Sequence, residues 1–178
     1  MISTKDMYYK KAKKISFDKK ERDKEKVVKY IVIHNTGNDG DSSKNNVDYF
    51  ASWNDRAAGA HFFVDQKGVI GRSIPMNLTA WAVGDNGKGT LKDIVTNYNS
   101  VSIELCDIVK KEPSDAMIKS VVELIKYIRN YCPNVRAVVR HYDVTTKNCP
   151  QIMVDLNKWG AFLDKIGCCL VGIEKGTE

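Results

Sequence analysis

The chain lacks any apolar run that approaches the length of a membrane span; stretches such as Tyr30–Ile33 and Ala137–Val139 end after three or four residues. A helical membrane protein is therefore excluded. The first residues, Met1-Ile2-Ser3-Thr4-Lys5-Asp6, contain no apolar h-region, so no conventional signal peptide is present. If the protein acts outside the cytoplasm, something else must release it. There is also no disulfide framework: the five cysteines are an odd number, and Cys168 and Cys169 are adjacent. That usage fits synthesis in a reducing compartment. Internal repeats and nucleic-acid recognition motifs are absent as well.

What remains is ordinary for a globular domain. The 178 residues suit one domain with a substantial core, at 43% hydrophobic and 28% charged content. The net charge is +6, and much of the excess lies in Lys10, Lys11, Lys13, Lys14, Lys19 and Lys20. Such a run reads either as a solvated face or as attraction to a polyanion, nucleic acid or an anionic bacterial wall.

Residues 1–29 read as a partly irregular, Lys-rich extension packed on or preceding the domain. Tyr30–Ile33 is a strand. After a Gly/Asn/Asp/Ser loop, Val47, Phe50, Ala51 and Trp53 share the face of a short helix. Ala60–Val64 and Val69–Ile74 flank Asp65-Gln66-Lys67-Gly68, a hairpin signal. A loop over 75–99 is long enough to suggest the lining of a cleft, and Val101–Leu105 is the next strand. Ser114 is the expected N-cap of a helix with Met117, Val121, Leu124, Ile125 and Ile128 on its apolar stripe. Ala137–Val139 is the last strand, and a helix over 153–166 is expected to bury Leu156, Trp159, Phe162 and Leu163. Residues 167–178 read as a tail or linker. The order β-α-β-β-β-α-β-α predicts an α/β fold with one mixed sheet flanked by helices, the functional domain spanning 30–166.

The chemistry concentrates at Arg140-His141-Tyr142-Asp143 and Lys147-Asn148-Cys149-Pro150. His141 falls where a strand gives way to a loop, and Cys149 follows eight residues later. Imidazole and thiolate are ligands that zinc prefers. His34, at the end of another strand, is the obvious third donor, and three ligands would leave the fourth tetrahedral position open, as in a catalytic site. Cys106 and Cys132 read instead as small buried apolar residues. Alternation along Val101–Leu105 sets Ser102 and Glu104 apart from the apolar face. Glu104 is thus the candidate general base, the bland alternative being a solvent-facing carboxylate. Lys147 is either an oxyanion-stabilising ammonium or a simple loop cation. His61 is either substrate-facing or a satisfied structural histidine, and Asp143 either orients an imidazole or only shapes its loop.

Together, Ile33-His34-Asn35-Thr36, Ala60-His61-Phe62, Val101-Ser102-Ile103-Glu104 and Arg140-His141 with Lys147-Asn148-Cys149-Pro150 resemble the type 2 N-acetylmuramoyl-L-alanine amidases. This family includes phage endolysins, autolysins and peptidoglycan recognition proteins. The resemblance spans about residues 28–166. It implies Zn2+ held by His34, His141 and Cys149, with Glu104 and Lys147 catalytic and His61 and Trp81 toward substrate. It further implies a zinc-dependent hydrolase of the amide between N-acetylmuramic acid and L-alanine, an endolysin catalytic domain of phage or prophage type. The alternative within the family is a non-catalytic peptidoglycan-binding module. The expected partner is bacterial peptidoglycan, with no specific nucleic acid, no membrane span and a monomeric state. Synthesis in the bacterial cytoplasm, with action on the wall after release, follows from the missing signal peptide. Two departures from the family pattern stand out. Ala60 occupies the place where many members carry a catalytic tyrosine, and Ala82 follows Trp81 where many carry histidine.

Overall fold

The computed structural model describes residues 2–52, 55–84 and 87–168. Short 3-10 turns at Thr4–Asp6 and Lys14–Ser16 precede β1 (Tyr8–Tyr9) and β2 (Phe17–Asp18). Next come α1 (Lys24–Val27), β3 (Tyr30–Asn35), α2 (Ser43–Ala51), β4 (Phe62–Val64), β5 (Ile70–Arg72) and β6 (Thr79–Ala80). The chain continues through β7 (Ser100–Leu105), α3 (Asp115–Tyr131), β8 (Ala137–Arg140), α4 (His141–Thr145) and α5 (Leu156–Lys165). Six strands form one mixed sheet in the order β1-β5-β4-β7-β3-β8, and β2 pairs with β6 in a separate two-stranded sheet. Within the larger sheet β4 and β5 are antiparallel, and the other four pairings are parallel.

All six residues of β3 are buried, as expected of a central parallel strand covered on both faces. Period-two alternation then divides the core. Ile31 and Ile33 join Val101, Ile103, Leu105, Phe62 and Val64 under α3 and α5. Tyr30 and Val32 face the other way with Ala137 and Val139, and are covered by Val83 and Val95 from the 75–99 loop and Val144 of α4. The stripe Met117, Val121, Leu124, Ile125 and Ile128 makes α3 the main lid on the first face. Ser114 caps that helix, its Oγ accepting from Met117 N at 3.1 Å. The β4–β5 turn takes its shape from Asp65 Oδ1, which accepts from the Lys67 and Val69 amides, and from Gly68 at φ +77°.

The structure departs from the sequence reading in three places. Leu156 is 69% exposed: it opens α5 and overhangs the end of the core, which that helix fills with Trp159, Phe162 and Leu163. His141 begins a short helix rather than a loop. The 75–99 segment contributes β6, which pairs with β2. Residues 1–29 take the first of their two expected placements and pack on the domain, where β1 adds a parallel edge to β5, with Tyr8 opposite Gly71 and Tyr9 opposite Arg72. Met7, Ala12, Phe17 and Val28 are buried there, and Lys10 is held at 2.7 Å by Asp48. Of the predicted helical face, Val47 is fully buried and Phe50 partly so. Trp53 lies outside the described residues, as does most of the 167–178 tail.

Helix α2 sits close on β5 because Gly71 has no side chain. A Cβ there would meet Val47 Cγ2 at 2.7 Å and Ser43 O at 3.1 Å. Gly71→Ala is therefore expected to lower stability by about 1–3 kcal/mol by overpacking, read as a lower urea midpoint with an unchanged slope. An unchanged midpoint would contradict this account of the α2–β5 contact.

Candidate metal centre

Parallel pairing brings the candidate residues to one end of the sheet. His34 lies opposite Glu104 in the β3–β7 register. Ile33 lies opposite Arg140 between β3 and β8, so His141 follows beside His34. Alternation puts His34, Glu104 and His141 on the same face. The imidazole centroids of His34 and His141 are 4.5 Å apart, tilted by 51°. Cys149 arrives from the loop after α4. Asn35 holds that loop, its Oδ1 accepting from Gln151 N at 3.0 Å and its Nδ2 donating to Gln151 Oε1 at 3.2 Å. The Tyr142 amide donates to Cys149 O at 2.7 Å, and the Asn35 amide donates to Cys149 Sγ at 3.4 Å. The Cys149–Pro150 peptide is cis. One ligand atom from each of His34, His141 and Cys149 lies within 4.8 Å of the others.

The protonation of the two imidazoles suits a cation. Burial holds His34 well below the usual imidazole range, reinforced by His141, His61 and the Lys147 ammonium. Burial likewise lowers His141, against the opposing hydrogen bond to Val83 O. Both rings are therefore neutral at pH 7, as metal ligation requires. Burial, and then the Glu104 carboxylate, pushes the Cys149 thiol up to about 12. Among the described residues, His34 Nε2 and Glu104 Oε2 are enclosed without a hydrogen-bond partner. Two neutral imidazoles, one thiol and an orphaned ring nitrogen fit a soft divalent cation such as zinc. Burial and then Asp41 push Glu104 up to about 8, with Arg56 opposing.

These groups line a cavity of about 610 Å3. Lys147 lines it too, from an exposed position two residues before Cys149. Trp81, 36% exposed, forms part of its wall. That tryptophan is held through its backbone: its amide donates to Ser16 O at 3.1 Å, and its carbonyl accepts from Gly59 N at 3.1 Å. Asp143 is turned away from the imidazoles and accepts from the Arg140 amide at 2.9 Å and from Arg140 Nε at 3.0 Å. It shapes the turn into α4, the second of its two sequence readings. Asp41, Tyr49 and Arg56 also line the cavity. No periodicity or motif singles them out, because they come from irregular segments or the polar side of a short helix.

The profile described as N-acetylmuramoyl-L-alanine amidase matches residues 23–152. The chain belongs to this amidase family. It is 33% identical over 153 residues to N-acetylmuramoyl-L-alanine amidase CwlL of Bacillus licheniformis, an alignment that covers 80% of this chain and 42% of that protein. It is 30% identical over 138 residues to N-acetylmuramoyl-L-alanine amidase BlyA of Bacillus subtilis strain 168, covering 69% of this chain and 36% of that protein. The chain thus spans less than half the length of these curated relatives. Among solved structures it is similar to PlyL, with 31% identity and a TM-score of 0.64 over 79% of this chain and 84% of that one. The solution structure of the PlyG catalytic domain matches at 26% identity and a TM-score of 0.71, over 96% and 99%.

In this amidase-family chain His61 does not line the cavity. It is 1% exposed, and both ring nitrogens are engaged. The Ser102 amide donates to Nδ1 at 3.0 Å, so the proton sits on Nε2, which donates to Leu78 O at 3.2 Å. The Arg22 guanidinium lies 3.0 Å from the same nitrogen. The geometry is that of a structural histidine bracing β7 against the 75–99 loop, not of a substrate contact.

Burial, and then the Arg22 charge, lowers the His61 pKa to about 3. The unfolded chain takes up this proton near pH 6.5, well before the folded one does. The contribution of His61 is therefore fully present above about pH 6.5 and is lost as pH falls toward 3, by up to about 1.4 kcal/mol per unit. His34 and His141 titrate in wild type and His61→Gln alike, so comparing the two isolates His61. The stability gap between them, from urea unfolding, is expected to be largest at pH 7 and to shrink steadily toward pH 4. A gap independent of pH would contradict the buried, neutral imidazole.

Proposed function

We propose that the chain is a zinc-dependent peptidoglycan hydrolase that cuts the amide between the lactyl group of N-acetylmuramic acid and the L-alanine of the stem peptide. The observation that carries this reading is the convergence of His34, His141 and Cys149 at the floor of a cleft that also holds Glu104 and Lys147. Family membership supports the bond cleaved, since the matched profile and the curated relatives carry the amidase name. The endolysin reading is supported by the similarity to the structure of a mutant endolysin from Bacillus subtilis, at 29% identity and a TM-score of 0.62, and the substrate is then the wall. The thiol at position 149 favours the enzyme over a non-catalytic binding module, because a binder has no need of a complete ligand set.

His34, His141 and Cys149 would hold the zinc, whose chemistry when bound is Lewis-acid polarisation of the scissile carbonyl and a lowered pKa for a nearby water. The remaining steps belong to the protein. Burial pushes Glu104 up to about 8, and a divalent cation held by the three ligands would favour the charged form that accepts a proton. Its carboxylate takes a proton from the attacking water and returns it to the departing alanine nitrogen, so that amide and water yield a lactyl carboxylate and a free amine. The Lys147 ammonium stabilises the oxyanion that develops on the carbonyl. Trp81 offers a flat apolar wall to the sugar or peptide.

Digestion of purified walls tests the reaction. New N-terminal alanine should appear on stem peptides with no new reducing sugar ends, and a chelator should stop the release. New reducing ends, or another new N-terminus, would sink the assignment. Glu104→Gln is expected to lower turnover by about 10²–10⁴-fold with zinc content unchanged. Cys149→Ser is expected to lose both zinc and activity while keeping the fold. Wild-type turnover in zinc-loaded Glu104→Gln would remove Glu104 from the role of base.

A further inference from the structure

The orientation of His141 depends on a contact outside its own strand and helix. Its Nε2 lies 3.0 Å from Val83 O. A carbonyl only accepts, so Nε2 carries the proton and Nδ1 is left for the cavity. Val83 lies in the 75–99 segment, between strands, where no ladder fixes the direction of its carbonyl. Asn97 anchors the backbone on the amino side of that carbonyl instead. Its side-chain Oδ1 accepts from Ala82 N at 2.9 Å and from Val83 N at 2.7 Å. Two successive amides thus converge on one buried oxygen, which anchors the backbone up to the Val83 amide, one ψ rotation before Val83 O. Asn97 is itself anchored, since Arg22, buried and reaching in from the N-terminal segment, donates to the carbonyls of Met76, Asn97 and Tyr98.

We propose that Asn97 is a positioning residue for the metal centre: it anchors the Val83 backbone through its amide, and the carbonyl of that same residue holds His141 with Nδ1 toward His34 and Cys149. The inference rests on the reading of His141 as a zinc ligand. Partners that orient a ligating imidazole set metal affinity as well as activity, and their loss typically costs about 10–100-fold in affinity. Asn97 touches neither metal nor substrate. Its effect passes through the backbone carbonyl of another residue, a route that ligand spacing does not reveal.

The test is zinc affinity, measured by competition with a chromophoric chelator on zinc-stripped full chain. Asn97→Leu removes the acceptor and should weaken zinc by about 10–100-fold. Asn97→Asp keeps an acceptor oxygen of the same reach and should stay near wild type. Asn99→Leu serves as the control. Asn99 bonds Thr96 N and Ile94 O in the same loop and has no contact with Val83 among its hydrogen bonds, so its loss should lower stability and leave zinc affinity unchanged. Equal affinity in wild type and Asn97→Leu would overturn the inference, and so would equal weakening by the two leucine variants. Failure of the wild type to bind zinc would overturn the metal-centre reading itself, and this inference with it. The nitrogen-15 shifts of the zinc-free wild type need no variant that might misfold: protonation of His141 at Nε2 supports the proposal, and protonation at Nδ1 overturns it.

Discussion

The parallel pairing of β3 with β7 on one side and β8 on the other is the constraint on which the rest depends. One register puts His34 beside Glu104, and the other puts His141 one step beyond Arg140, opposite Ile33. A slip of one residue in either ladder would turn Glu104 or His141 into the α3 side of the sheet, among Ile103 and Leu105. The apolar alternation that buries Ile31, Ile33, Val101 and Ile103 under α3 is therefore the same feature that aims the polar residues into the cleft. Core and site are two faces of one pattern.

The cleft face is costly for the protein alone. A thiol held at about 12, a carboxyl held at about 8 and two imidazoles depressed by burial crowd together. His34 Nε2 and Glu104 Oε2 lack partners among the described residues. An unsatisfied buried polar group costs about 1–3 kcal/mol, a large part of the 5–15 kcal/mol that a domain typically has. Such a cluster persists because the framework around it is over-determined. Asn35 clamps the Cys149 loop through Gln151. Leu91 N donates to Asp143 O and Gly89 N to Val144 O, docking the long loop on α4. A cation that satisfies the donors would return part of this cost as stability.

Much of this was legible in the sequence. The apolar runs ending in His34 and preceding His141 marked two strands, and the alternation Val101–Leu105 separated Glu104 from the core side. The hairpin at Asp65–Gly68 and the Ser114 cap were readable because turn and cap chemistry are local. The two-residue strands β1, β2 and β6 were not readable. They carry no period of their own and exist through pairing with distant partners. His61 and Asp143 illustrate a second limit: residue type put both near the chemistry, whereas their hydrogen bonds commit them to bracing the scaffold. Leu156 has the right spacing for the core and lies past its edge, which periodicity alone does not reveal.

The central claim is that three residues from β3, the start of α4 and the following loop hold one zinc ion. X-ray absorption at the zinc edge on protein reconstituted with one equivalent of the metal tests it most directly. The account predicts a four-coordinate first shell with two nitrogens of imidazole type at about 2.0–2.1 Å, one sulfur at about 2.3 Å and one oxygen. Cys149→Ser should abolish the sulfur signal. A shell without sulfur in the wild type, or one with six oxygen and nitrogen neighbours, would contradict it.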